Sequence, residues 1–348
     1  MSFQSKHILS FVMVGSLSLL PLTAQTAAKP ATAGKASTGR AYVAPRTPDG
    51  QPDLQGIWDT ATLTPLERPA ALGTKAYYTK EEADAYEAGR SKEMNRDRRD
   101  GTAQNDLDRA YNDGWFDRGA HLGRTLRTSR IVDPPDGRFP ALTPEAKKKY
   151  DEFHAWFKEH PADNPEDRPL FDRCLFFSQS GPPLVPGNYN NNYQIIQTPG
   201  MVTIYSEMGH QARNIPLSNI AAKLPAGVAQ WMGDSRGHWE GETLVVESSN
   251  FRFNSQSHFG TQYDGMTDEN LRVVERFTRT APDLIVYQAT VTDPTVYSKP
   301  WTIELPMSKT NSPIYEYACH EGNYGMSGIL SGERARDKAL ESKQTSKK

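Results

Sequence analysis

Between residues 193 and 319 apolar and polar positions alternate with a period of two, as half-buried β-strands do, whereas the stretch before them carries helical spacings and turn residues. Strands are predicted over 193–198 and 201–207 around Pro199-Gly200, and over 236–240 and 243–247 around Gly241-Glu242. The second pair sets a register in which Trp239 faces Leu244 and Arg236 faces Glu247. Further strands follow over 271–280, 284–292, 301–309 and 314–319, separated by turns that mostly contain proline. Upstream, Thr79 with Glu82 has the spacing of a capping box and predicts a helix to about residue 96. Thr143-Pro144-Glu145 opens a second helix, whose Tyr150, Phe153, Trp156 and Phe157 recur at spacings of three and four. Gly56-Ile57-Trp58 reads as a first strand or an anchoring segment.

The expected fold class is α+β, mainly β: an N-terminal helical segment followed by an antiparallel β-meander closed as a barrel or packed as a sandwich. The expected division is a leader over 1–24, a flexible Ala/Thr/Pro/Gly-rich lead-in over 25–50, and a helical and irregular region over 51–175. A β domain carrying the candidate site follows over 176–335, then a lysine-rich tail over 336–348.

Lys6 and His7 precede an apolar run over 8–22, and Thr23-Ala24 supplies small residues before Gln25. That order predicts a secretory signal peptide and a secreted or periplasmic product with no membrane span in the mature chain. Charge adds an exclusion: 40 basic against 42 acidic residues give a net charge of −2, with no electrostatic case for a nucleic-acid partner. The two cysteines, Cys174 and Cys319, would meet an oxidising compartment, where an even count predicts one bridge.

Four polar clusters are candidates for chemistry. The segment 233–241, Gly-Asp-Ser-Arg-Gly-His-Trp-Glu-Gly, places Asp234, Arg236, His238 and Glu240 at spacing two, on one side of an extended strand. There His238 is the general-base candidate and Arg236 the anion clamp, with a cross-strand pair to Glu247 as the structural alternative. Tyr205, Glu207, His210 and Arg213 gather a phenol, a carboxylate, an imidazole and a guanidinium around one strand end. Tyr189, Asn191, Asn192 and Tyr193 lie in an amide-rich run suited to polyhydroxy ligands, or to satisfying its own backbone. His320, Glu321 and Asn323 follow Cys319 and would join His210 and His238 if the bridge brings them near. The histidines with acidic neighbours permit a divalent metal, but no tight ligand spacing requires one and no cofactor is predicted.

The segments 191–200, 233–241 and 315–324 resemble a family of functionally uncharacterised exported bacterial proteins, over most of residues 45–335. The resemblance implies export and attaches no reaction. Gly56-Ile57-Trp58 ahead of a meander is also similar to lipocalin-type barrels, at the level of fold. The expected function is an exported enzyme doing acid–base chemistry, β-elimination slightly before hydrolysis, on a polar, carbohydrate-like substrate. In the lyase reading His238 or His210 abstracts a proton, Arg236 or Arg213 stabilises the anion, and Tyr189, Tyr193 or Tyr205 protonates the leaving group. The alternatives are a lipocalin-like periplasmic binder of a small molecule or glycan, and an interaction module.

Overall fold

The structure is a computed structural model that describes residues 42–109, 112–217, 224–225, 228–252 and 270–345. The expected leader over 1–24, residues 25–41 of the lead-in and the last three residues of the tail lie outside them. Ten strands form one sheet: β1 Gly56–Asp59, β2 Ile131–Asp133, β3 Asn192–Thr198, β4 Met201–Ser206, β5 Gln211–Pro216, β6 Asp234–Glu240, β7 Thr243–Ser249, β8 Arg272–Ala281, β9 Leu284–Thr292 and β10 Trp301–Thr310. Four α-helices accompany it: α1 Lys80–Met94, α2 Ala103–Asp108, α3 Pro144–Glu159 and α4 Gly325–Thr345.

The strand order is β5-β4-β3-β1-β10-β9-β8-β7-β6, with β2 paired to β10 off this path. The antiparallel β-rich expectation holds, and the β6–β7 register is the one the sequence implies, with Trp239 opposite Leu244 and Arg236 opposite Glu247. A closed barrel does not form. Each ladder along the path is antiparallel, so an odd number of strands leaves the two edges, β5 and β6, running parallel. Such edges cannot join as a hairpin, and among the described residues they meet at one bridge, Leu217 to Gly237. Gly237 permits that approach, since a Cβ there would lie 2.8 Å from Leu217 Cδ2 and 3.0 Å from Ile215 Cγ2.

The expectation of a helical N-terminal segment ahead of the sheet is also corrected. β1 sits inside the sheet between β3 and β10, and β2 adds a second strand from the same region. Burial explains this: the Trp58 side chain is wholly enclosed and its indole N–H donates to Leu54 O at 2.9 Å. The predicted strand over 314–319 is irregular backbone instead, and the expected tail is largely helical, within α4. The helix starts hold, with Thr79 and Glu82 forming a reciprocal capping box and Thr143 capping α3.

The inner face is filled by Trp58, Tyr193, Ile204, Val246, Phe277, Tyr287, Leu305 and their neighbours. At its centre Arg213 of β5 and Glu275 of β8 form a bidentate ion pair, with Nη2 to Oε1 at 2.9 Å. Tyr287 Oη donates to the same Oε1 at 2.9 Å and accepts from Leu184 N at 2.8 Å. Burying two charges is tolerated where geometry is bidentate, and here Oε1 also accepts from Tyr287, while Arg213 Nε is buried without a hydrogen-bond partner.

Candidate functional site

The four charged side chains of β6 do share one face, but they satisfy one another there. Arg236 Nη2 lies 3.0 Å from Asp234 Oδ1, His238 Nε2 lies 3.3 Å from Glu240 Oε1, and Arg276 donates to Glu240 Oε2 at 2.7 Å. His238 and Glu240 are about half exposed in this network, as the ordinary surface of a strand would be. The same stretch spells Gly-x-Ser-x-Gly over 233–237, the spacing of a hydrolase nucleophile elbow. That elbow needs a strand-to-helix turn. Ser235 instead lies inside β6, buried, with its Oγ 2.7 Å from Ser248 Oγ.

The second cluster is a clamp. Both Glu207 oxygens are occupied: Oε2 accepts from Asn192 Nδ2 at 3.0 Å, and Oε1 accepts from Tyr315 N at 3.0 Å. His210 Nε2 lies 2.7 Å from Tyr315 O and 2.9 Å from Tyr317 N, and its ring leans on Tyr205 at 5.6 Å between centroids. Arg213 is committed to Glu275 in the core. The clamp fixes the 315–317 backbone beside the Cys174–Cys319 disulfide, which is formed as expected. His320, Glu321 and Asn323 follow it as exposed turn and coil residues, with Asn323 Oδ1 accepting from Gly325 N. His238 lies on the outer face of β6.

The amide-rich run is mostly structural. Asn191 is fully buried; its Nδ2 donates to Asp117 O at 2.7 Å and its Oδ1 accepts from Gly187 N at 2.8 Å. Tyr193 Oη donates to Gln179 O at 2.7 Å, and burial raises its pKa. Tyr189 is the exception, exposed on the wall of a cavity described below.

The arrangement with spare chemistry lies elsewhere. The backbone after β1, residues 61–65, is held against neighbouring loops by Thr60 N to Asn191 O, Leu63 N to His121 O and Arg130 N to Pro65 O. Between this backbone, α1 and the segment 185–188 lies a cavity of about 380 Å³. Its wall carries Arg90, Arg118, Arg130, Tyr86, Ser178 and Asn188, together with Thr62 and Thr64. Arg130 immediately precedes β2, anchored by Pro65 on one side and by Glu304 N on the other. Its Nε is enclosed with no hydrogen-bond partner, and among the described residues its guanidinium has no carboxylate counter-ion. Burial lowers its pKa to about 10. Arg118 donates to Met94 O at 3.4 Å and stacks 3.7 Å from the Phe116 ring; burial, then the nearby Arg96 charge, lowers its pKa. Arg90 is partly neutralised by Glu93 at 2.6 Å. The cavity is thus lined by more cationic charge than its own protein groups offset, with hydroxyls and an amide at hand.

A second cavity of about 330 Å³ adjoins the first, sharing Ser178, Gly187 and Asn188 with it. Phe171, Phe176, Phe177, Tyr189 and Tyr317 line it. Phe177 meets Tyr317 edge-on at 5.2 Å, and burial with the hydrogen-bonded Tyr189 beside it pushes the Tyr317 phenol up to about 12. Nothing in the sequence pattern singled out Arg90, Arg118 or Arg130. They are distant in sequence, and an arginine without a partner is visible only once its surroundings are known. Among the described residues no cluster of three or more His, Cys, Asp or Glu side chains has metal-binding geometry. Comparison with protein-family models, with curated proteins and with solved structures returns no match.

Proposed function

We propose that the protein binds a small anionic ligand in the Arg130 cavity. One observation carries this reading: Arg130, half-buried with its Nε enclosed and unpartnered and with no carboxylate counter-ion among the described residues, opens into a cavity that two further arginines line. A partly desolvated cation without a counter-ion is unfavourable for folding, and an incoming carboxylate, phosphate or sulfate would relieve it with charge-assisted, bidentate hydrogen bonds. The filled inner face of the sheet supports placing the ligand here rather than inside a lipocalin-like barrel. The disulfide and the expected leader support export of the mature chain.

Acid–base catalysis is the second reading, favoured by Tyr317. Its phenol lies on the wall of the adjoining cavity and is the type of group that protonates a leaving group once a base has taken the α-proton. Calorimetric titration with inorganic phosphate, sulfate and propanoate tests the first reading. At least one should bind the wild type and lose tenfold or more affinity in Arg130→Met, about 1.4 kcal/mol. Equal binding by both proteins, or no binding of any anion, would sink it. New ultraviolet absorbance on incubation with uronic-acid oligosaccharides would promote the second.

A further inference from the structure

Resting on the anion reading, we infer that the ligand is an aromatic acid: a carboxylate held at Arg130, and a ring seated in the adjoining cavity. The two cavities have Ser178, Gly187 and Asn188 in common as wall residues, and the inferred ligand is one short molecule that reaches across them. One half offers guanidinium groups; the other offers five aromatic side chains and Met208. Aromatic walls of this kind favour a ring, through edge and face contacts that an alkyl chain lacks, and the thioether adds a sulfur contact.

The aromatic half is built to hold its shape. Tyr317 enters it from the irregular segment after β10, and that segment has three ties to the rest of the fold. Glu207 accepts from Tyr315 N at 3.0 Å, His210 Nε2 lies 2.9 Å from Tyr317 N, and the disulfide joins Cys319 to Cys174. Residues expected from sequence to react therefore act as positioning residues for a wall. Phe171 and Tyr189 keep 51% and 39% of their surface exposed, so their rings are accessible to a ligand. The hydrogen-bonded Tyr189 and Tyr317 phenols also provide polar contacts for a ring hydroxyl, so a phenolic acid suits the site better than a plain one.

The test is calorimetric, with propanoate, 3-phenylpropanoate and 3-phenylpropan-1-ol as probes on the full mature chain. The expected result is that 3-phenylpropanoate binds at least tenfold tighter than propanoate, about 1.4 kcal/mol, and at least tenfold tighter than the neutral alcohol. In Phe171→Ala and Tyr189→Ala, both at exposed positions, the ratio of the two acids should fall to threefold or less, with melting temperatures confirming that each variant is folded. If the two acids bind the wild type alike, and both depend on Arg130, the aromatic assignment fails while the anion reading stands. A ratio that survives both wall variants also overturns it. If neither acid nor phosphate binds at all, the anion reading itself fails.

Discussion

Replacing Arg130 by methionine should make the ligand-free protein more stable, which is not what removing a well-bonded buried arginine would do. Burial lowers the Arg130 pKa to about 10. If both forms are compared at neutral pH, that displacement corresponds to about 3 kcal/mol of cost in keeping the guanidinium charged inside the fold. The side chain keeps part of its surface open to the cavity, where solvent screens the charge, so a gain of about 1–2 kcal/mol is the realistic expectation. Methionine has similar length and fills the space with apolar contact. The pH dependence follows from the direction of the shift. A base whose folded pKa is depressed costs stability throughout the range below that pKa, and the cost is relieved only as pH rises above about 10. The gain in Arg130→Met should therefore be constant from about pH 6 to pH 9. Urea unfolding followed by tryptophan fluorescence measures it. A variant less stable than wild type by 1 kcal/mol or more would refute the reasoning, because the guanidinium would then be making bonds that hold the fold. A gain in stability coupled to a loss of anion affinity is the pattern of a site kept for binding at the expense of folding.

Four other outcomes follow from the same structure. Glu275→Leu should cost about 3–5 kcal/mol by stranding the Arg213 cation in the core, and adding Arg213→Leu should recover most of it in urea unfolding. Replacing Cys174 and Cys319 by serine opens a loop spanning 145 residues and should cost at most roughly 5 kcal/mol on the chain-entropy estimate; it should also loosen the Tyr317 wall, seen as faster amide exchange over 315–319. Asp59 has its pKa raised by burial, with the Asp117 and Glu207 charges adding to it, so its ionisation opposes folding as pH rises through the folded pKa. Asp59→Asn should stabilise at pH 7, and the gain should vanish in acid, where the wild-type carboxyl is protonated in both states. His238→Ala should change unfolding free energy by no more than about 0.5 kcal/mol, since its contact with Glu240 is solvent-exposed; a larger loss would show that the outer-face network matters to the fold.

Much of the sheet was legible in the sequence because its signals are local. The alternation over β3, β4 and β7–β9, the turn at Pro199-Gly200 and the Gly241-Glu242 loop fix strands and register without reference to the rest of the chain. The even cysteine count led to the bridge by redox logic rather than by contact. What failed was non-local. The four residues of β1 become a central strand because Trp58 is buried between β3 and β10, a fact that depends on residues far along the chain. The parallel direction of the two edges follows from the number of strands between them, invisible until the β1–β10 pairing is known. The proposed site is not legible in the sequence for a related reason. Sequence reading favours dense clusters of ionisable residues, and these turned out to satisfy each other: Asp234 with Arg236, His238 with Glu240, Glu207 with Asn192 and Tyr315. A side chain with unused capacity, such as Arg130, stands out by what it lacks, and that depends on its surroundings in space.

The central claim is tested most directly by a crystal structure of the protein grown with sodium selenate, using the anomalous signal of selenium to locate the anion. The account predicts a selenate in the cavity with its oxygens within about 3 Å of the Arg130 guanidinium, and no selenate there in Arg130→Met. Selenate bound only on the outer surface, with Arg130 turned to a carbonyl or carboxylate of the protein itself, would contradict it.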